Sequence, residues 1–302
     1  MTRHLLDIDG LNQADLDSLL ARTGQLAAGA PCRRLSGTVA NLFFEPSTRT
    51  RISFLMAARR LGLDVINIEH QASSASKGES LIDTANTLAA MGVAAIVLRH
   101  RENGAAAGLA AGLGAKDLAI VNAGDGQHAH PSQALLDAAT LAHAGFDLRG
   151  LSLAIIGDIR HSRVARSGIA LFSRLGVAEI RIAGPQEFMP DAGELPEATR
   201  VEDIESAIEG VDAVICLRIQ RERIAASGYP DGAAFHRRWG LTAERLNSMP
   251  RHARILHPGP VNRDVEIAGE LIDSPRALIL EQVRIGVHLR TALFEWLLDA
   301  DS

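Results

Sequence analysis

The densest run of chemically capable side chains is Phe44-Glu45-Pro46-Ser47-Thr48-Arg49-Thr50-Arg51, where three hydroxyls and two guanidinia fall within five residues. That set of groups suits an anion. The segment stands between an apolar run at residues 38–44 and a stretch of helical periodicity, so Ser47 or Thr48 is placed to cap a helix whose first amides are free to donate. The helix dipole adds partial positive charge, and Arg49 supplies a planar donor fork for phosphate. A simple cap followed by surface arginines accounts for one hydroxyl but not for the cluster. The Walker pattern Gly-x-x-x-x-Gly-Lys-Ser/Thr is absent, so a nucleoside triphosphate is not the natural ligand.

Other candidates are weaker one by one. Arg99 ends the apolar run 94–98, where the ordinary reading is a surface cation. His130 precedes Pro131-Ser132-Gln133 at a helix start, a common place for a capping or packing histidine. His128 and His130 have the His-x-His spacing of some metal sites, and His161, His257 and Asp264 could extend it, but no further ligands are convincingly paired and no metal is expected. Arg163 and Arg218 each follow an apolar run; they are either solvated cations or the two clamps that a dicarboxylate needs. Lys77 lies in a Ser/Gly-rich stretch, where a solvated lysine is the plain reading.

These residues need elements to position them. Apolar runs at 38–44, 64–68, 94–98, 118–121, 151–156, 179–183 and 213–217 alternate with helical patterns and lack polar alternation, which predicts strands buried on both faces in mainly parallel sheets. The fold class is therefore α/β with two domains, and function belongs in strand-to-helix loops. In the helix after Phe44, Ile52, Leu55, Met56 and Leu61 form the expected apolar face. Residues 131–145 read as a bridging helix, residues 281–298 as an amphipathic helix that packs back on the first domain, and 104–115 as a compact surface helix. The expected domains are 1–135, joined by about 284–302, and 136–283. Residues 154–158 resemble the opening of a dinucleotide-binding unit, but the Gly-x-x-Gly spacing after Gly157 is missing, so no nicotinamide site is expected.

Composition bounds the partners. The 302 residues are 47% hydrophobic and 22% charged, with a formal net charge of -5, which gives no overall attraction to nucleic acid or to an anionic membrane. Cys32 and Cys216 form no Cys-x-x-Cys pair, and Asp7 and Asp9 lie where a secretory signal needs an apolar core, so a cytoplasmic protein is expected.

The 44–51 segment resembles the carbamoyl phosphate motif of the aspartate and ornithine carbamoyltransferases, and the resemblance extends over nearly the whole chain. Residues 73–80 are similar to the loop that this family passes to a neighbouring subunit, His130-Pro131-Ser132-Gln133 to its second signature, and His257-Pro258-Gly259-Pro260 to its late loop. Gly157-Asp158-Ile159-Arg160-His161-Ser162-Arg163 and Leu217-Arg218-Ile219-Gln220-Arg221-Glu222-Arg223 resemble segments of the aspartate enzymes more narrowly. The departures are Ser80, where many members have Thr, and Gly259, where some have a bulkier residue.

The resemblance implies transfer of a carbamoyl group from carbamoyl phosphate to the α-amine of L-aspartate, in pyrimidine biosynthesis, with no cofactor. Ser47, Thr48, Arg49 and Thr50 would hold the phosphate with Arg99; Thr50, Arg99 and His130 would donate toward the carbonyl oxygen; Gln133 would hold the carbamoyl nitrogen. Near several cations, a neutral donor His130 is expected. Ser73 and Lys77 would reach the site of the next subunit of a homotrimer, Lys77 serving aspartate as well. Arg163 would hold the α-carboxylate of aspartate, and Arg218 and Gln220 its side-chain carboxylate, beside Gly259 and Pro260. The alternatives are another acceptor such as ornithine, which would need an acidic partner, or a non-catalytic anion-binding subunit. Association with regulatory or dihydroorotase-like chains is left open.

Overall fold

The computed structural model describes residues 2–69, 79–114, 117–220 and 231–298. The chain forms two compact units, Met1–Ala139 with Val283–Ser302, and Thr140–Gln282.

The first unit is built on β1 (Thr38–Phe43), β2 (Asp64–Glu69), β3 (Val93–His100) and β4 (Ala119–Asp125), in the order β2-β1-β3-β4 with every pair parallel. All seven residues of β4 and five of the six in β1 are buried, which explains why these strands read as continuous apolar runs. Parallel pairing demands crossovers, and α2 (Thr48–Leu61), α3 (Leu81–Ala90) and α4 (Ala105–Leu113) supply them after α1 (Gln13–Ala27).

Two helix readings need correction. The α2 helix forms, but it buries Thr50, Ser53, Phe54, Ala57, Ala58 and Leu61, while Ile52 and Met56 are 42% and 46% exposed. Ala57 and Ala58 let the backbone approach closely and Phe54 fills the remaining volume, so the buried stripe is set by fit and not by the largest apolar side chains. The α4 helix is no mere surface helix: Ala106, Leu109 and Leu113 join the core cluster that contains Ile96 and Leu98.

The second unit carries β5 (Ser152–Ile156), β6 (Glu179–Ala183), β7 (Thr199–Arg200), β8 (Ala213–Cys216) and β9 (Arg254–Leu256), in the order β7-β6-β5-β8-β9, again all parallel. Its helices are α6 (Arg163–Arg174), α7 (Ile204–Ile208), α8 (Gly232–Trp239) and α9 (Ala243–Ser248). Phe188, Phe235 and Trp239 close a core around Ile156, Val214 and Ile255.

The division between the units falls inside α5 (Pro131–His143) and α10 (Ile279–Leu298). The C-terminal part of α10 packs on the first unit, as the sequence suggests: Phe294 meets Phe54 edge to face at 5.8 Å between centroids, and the Trp296 indole donates to Asp15 at 2.9 Å. Each sheet contains one reversal of strand order, between β1 and β3 in the first and between β5 and β8 in the second. At such a point adjacent connections leave on opposite faces and a crevice opens beyond the carboxyl ends of the strands.

Candidate active site

The first reversal lies where the anion-suited segment begins. Phe43 is in register with Arg99 across the β1 and β3 pair, and the next amide, Phe44 N, donates to Arg99 O at 2.8 Å. The chain then turns through Glu45 and Pro46 into α2. Ser47 occupies the cap position with extended backbone (φ -161°, ψ 95°) yet its hydroxyl makes no capping bond, so the expected side-chain cap is not formed. Thr48 and Arg49 are exposed and Thr50 is buried at 7% exposure. The first turn carries no acidic residue that would oppose an anion.

Arg99 is drawn between two neighbours. Its Nη1 donates to Ala123 O at 3.2 Å, which ties the end of β3 to β4, and its Nε lies 3.3 Å from Glu45 Oε2. Sequence reasoning gives Glu45 no role beyond membership of the motif. Beside it, burial pushes the His100 imidazole below its ordinary pKa, and its Nδ1 takes a bond from Glu102 N at 3.1 Å, so this ring is a neutral acceptor.

His130 and Gln133 arrive from β4. The Asp125 carboxylate, 1% exposed, folds the intervening turn by accepting from Asn122 Nδ2 at 3.0 Å, Ala129 N at 3.0 Å and Gly104 N at 2.7 Å. That turn delivers His130 to the start of α5, where its carbonyl accepts from Gln133 N at 2.9 Å. Both side chains are buried, at 4% and 8% exposure. The strand ends of one sheet thus bring Ser47 to Thr50, Arg99, His130 and Gln133 to a single edge. Ser73 and Lys77 lie outside the described residues.

The second reversal gathers the other candidates. Gly157 ends β5 at φ +120°, and a Cβ there would fall 2.6 Å from Leu217 O, so only glycine lets the ends of β5 and β8 approach this closely. The buried Asp158 carboxylate spans them: Oδ1 accepts from His161 Nδ1 at 2.8 Å, and Oδ2 from Gln220 N at 3.2 Å. Arg163 opens α6 at only 4% exposure, which removes the reading of a solvated cation, while Arg218 and Gln220 are half-buried. Arg221, Glu222 and Arg223 lie outside the described residues.

The late loop of the second unit has its own support. His257 Nδ1 accepts from Gly259 N at 2.8 Å, leaving Nε2 to donate to Glu266 Oε1 at 3.0 Å; that oxygen also takes Asn262 N at 2.7 Å. This neutral tautomer holds Gly259 and Pro260, which are joined by a cis peptide. Among the described residues no group of three or more His, Cys, Asp or Glu side chains could hold a metal ion, and no helix is long and apolar enough to cross a membrane.

Asp125, Asp158 and Glu266 are supporting groups that sequence reasoning missed, as is Asp137, which accepts from Gln133 Nε2 at 2.8 Å. Only Asp137 carried a usable signal, since it lies one helical turn after Gln133.

Chemically, the first unit offers clustered donors and positive charge for a phosphorylated acyl group, and the second offers arginines for carboxylates. Comparison with known proteins agrees with this division. Residues 3–143 match the family model described as aspartate/ornithine carbamoyltransferase, carbamoyl-P binding domain, and residues 149–297 match the Asp/Orn binding domain of the same family. The chain is 47% identical to the aspartate carbamoyltransferase catalytic subunit of Xanthomonas axonopodis pv. citri over 98% of its own length and 96% of that protein. It resembles the aspartate transcarbamoylase of Trypanosoma cruzi in complex with carbamoyl aspartate and phosphate, at TM-score 0.85 and 29% identity, over 97% of this chain and 95% of that one. Ornithine carbamoyltransferase from Pyrococcus furiosus shares the fold, at TM-score 0.87 and 24% identity over 99% and 98% of the two chains.

Proposed function

The chain belongs to the aspartate/ornithine carbamoyltransferase family, and from that premise we propose that it transfers the carbamoyl group of carbamoyl phosphate to the α-amine of L-aspartate, giving N-carbamoyl-L-aspartate and phosphate. The observation that carries this reading is that one strand reversal holds a hydroxyl- and guanidinium-rich helix start, and the other holds the buried Arg163 after β5 and Arg218 after the adjacent β8. A phosphorylated acyl donor needs the first and a dicarboxylate acceptor the second; a basic side chain such as that of ornithine gains nothing from arginines.

In this reading Ser47, Thr48, Arg49 and Thr50 hold the phosphate, with Arg99 adding charge. Thr50, Arg99 and His130 donate to the carbonyl oxygen as it gains negative charge, and Gln133 holds the carbamoyl nitrogen. Arg163 takes the α-carboxylate, Arg218 and Gln220 the side-chain carboxylate, and Gly259 and Pro260 shape the surroundings. The neutral amine attacks the carbonyl carbon, the bond to the phosphate oxygen breaks, and the departing phosphate accepts the amine proton. No protein base is required. The chain works as a cytoplasmic homotrimer in pyrimidine biosynthesis, Ser73 and Lys77 completing the site of the adjacent subunit; support for the trimer comes from the sequence resemblance.

The test is an amine-acceptor screen with carbamoyl phosphate, identifying products by mass. Carbamoyl aspartate and aspartate-dependent phosphate release are expected. A product formed only with ornithine, or phosphate release indifferent to every amine, overturns the reading.

A further inference from the structure

Two buried ionisable residues of the first unit, Arg290 and Asp137, take no part in the chemistry described so far. Arg290, on α10, is 3% exposed; its guanidinium carbon lies 4.9 Å from the centroid of Phe54 and its Nη1 donates to Gly286 O at 3.1 Å. A Cβ at residue 286 would fall 2.7 Å from that nitrogen, so the glycine makes room for the cation. Burial pushes the pKa of Arg290 down to about 10 against the opposing pull of Asp137, which leaves it charged at neutral pH. Asp137, 1% exposed on α5, in turn accepts a 2.8 Å bond from Gln133 Nε2. The amide nitrogen is the donor in this bond, so the contact fixes which end of the Gln133 amide faces the Asp137 side chain. Nε2 is committed to Asp137, and Oε1 is presented on the other side as an acceptor.

From the buried hydrogen bond between Gln133 and Asp137 we infer that Asp137 is a positioning residue that makes Gln133 select an acyl group bearing N–H donors, and so discriminates carbamoyl phosphate from acyl phosphates with a methyl in place of the amine. The inference rests on the reading above in which Gln133 holds the carbamoyl nitrogen. Arg290 and Asp137 attract each other electrostatically, and both are buried. A site built around a committed acceptor rejects a ligand without the matching donor, because the acceptor is then desolvated and unsatisfied.

The experiment measures dissociation constants of carbamoyl phosphate and acetyl phosphate by calorimetry without aspartate, on the full chain, for wild type, Asp137→Asn, Gln133→Ala and the double variant. The asparagine side chain can donate to Gln133 Oε1, so the amide loses its single orientation. Asp137→Asn is expected to reduce the carbamoyl over acetyl preference by roughly tenfold or more. Gln133→Ala should reduce it as far, and the double variant no further. If Asp137→Asn leaves an uncompensated Arg290 and does not fold, Asp137→Asn combined with Arg290→Met is measured in its place. A preference that survives in Asp137→Asn but falls in Gln133→Ala, or equal weakening of both ligands by Asp137→Asn, overturns the positioning role alone. A preference unchanged in Gln133→Ala overturns the assignment of Gln133 as well.

Discussion

Arg99 Nε lies 3.3 Å from Glu45 Oε2, so the cation offered at the end of β3 already faces an anion from the motif that follows β1. A dianionic ligand near Arg99 must compete with this carboxylate. The pair is partly exposed, and its worth is accordingly modest. Glu45→Gln should tighten inorganic phosphate by roughly 3- to 10-fold at low salt, with the gain shrinking as salt rises. Calorimetric titration decides it; weaker phosphate binding in the variant would show that Glu45 orients Arg99 more than it opposes the anion.

Loss of a donor to a developing oxyanion costs roughly 100- to 1000-fold in turnover. Thr50→Ala, Arg99→Ala and His130→Ala should each fall in that range, with melting temperatures that still report a folded chain. Steady-state kinetics on the three variants checks this, and near-normal turnover in all of them rejects the proposed site.

Much of this arrangement was legible in the sequence, for identifiable reasons. The strands read clearly because parallel strands covered on both faces are uninterrupted apolar runs, as β4 is. By contrast β7, two residues long, and β9, three, are too short to carry a period. On α2 the sequence misleads at Ile52 and Met56, which are larger than Ala57 and Ala58, whereas packing on a sheet rewards the smaller pair. The anion segment was legible because its chemistry is local. Asp125, Asp158 and Glu266 were not, since a buried carboxylate that ties loops together is written with the same letter as a solvated one.

Asp158 links the loop after β5 to that after β8, through His161 and the Gln220 amide. Replacing it by Asn keeps the shape but puts a donor against Gln220 N, so one of the two bonds is lost. Asp158→Asn should raise the KM for aspartate roughly tenfold and leave the Kd of carbamoyl phosphate unchanged. Equal changes in both would mean that the carboxylate supports the fold at large and not the loop holding Gln220.

If Lys77 serves a neighbouring subunit, activity lost in two different variants can be restored by mixing. Lys77→Ala and His130→Ala chains are each expected to be inactive, yet a hybrid interface joins an intact Lys77 to an intact His130. Dissociation and reassociation of the mixture should recover a measurable part of wild-type turnover. Absence of recovery, after exchange is verified by mass, would falsify shared sites.

Glu295 gives the fold a defined acid sensitivity. Its carboxylate is 3% exposed, and burial alone would raise its pKa, but Arg22 at 2.6 Å and the Arg33 amide at 2.8 Å together hold it below the ordinary value. A carboxyl depressed in the folded state binds its proton more readily when unfolded, so it stabilises the fold above its unfolded pKa, near 4.5, and loses that contribution as pH falls through the lower folded value. Glu295→Gln should therefore be less stable than wild type by about 1–3 kcal/mol at pH 7, where a charge-assisted bond is exchanged for a neutral one. The gap should close steadily as pH is lowered from about 5. Urea unfolding across that range measures it; a gap that stays constant would mean that the side chain contributes by packing, with its ionisation irrelevant.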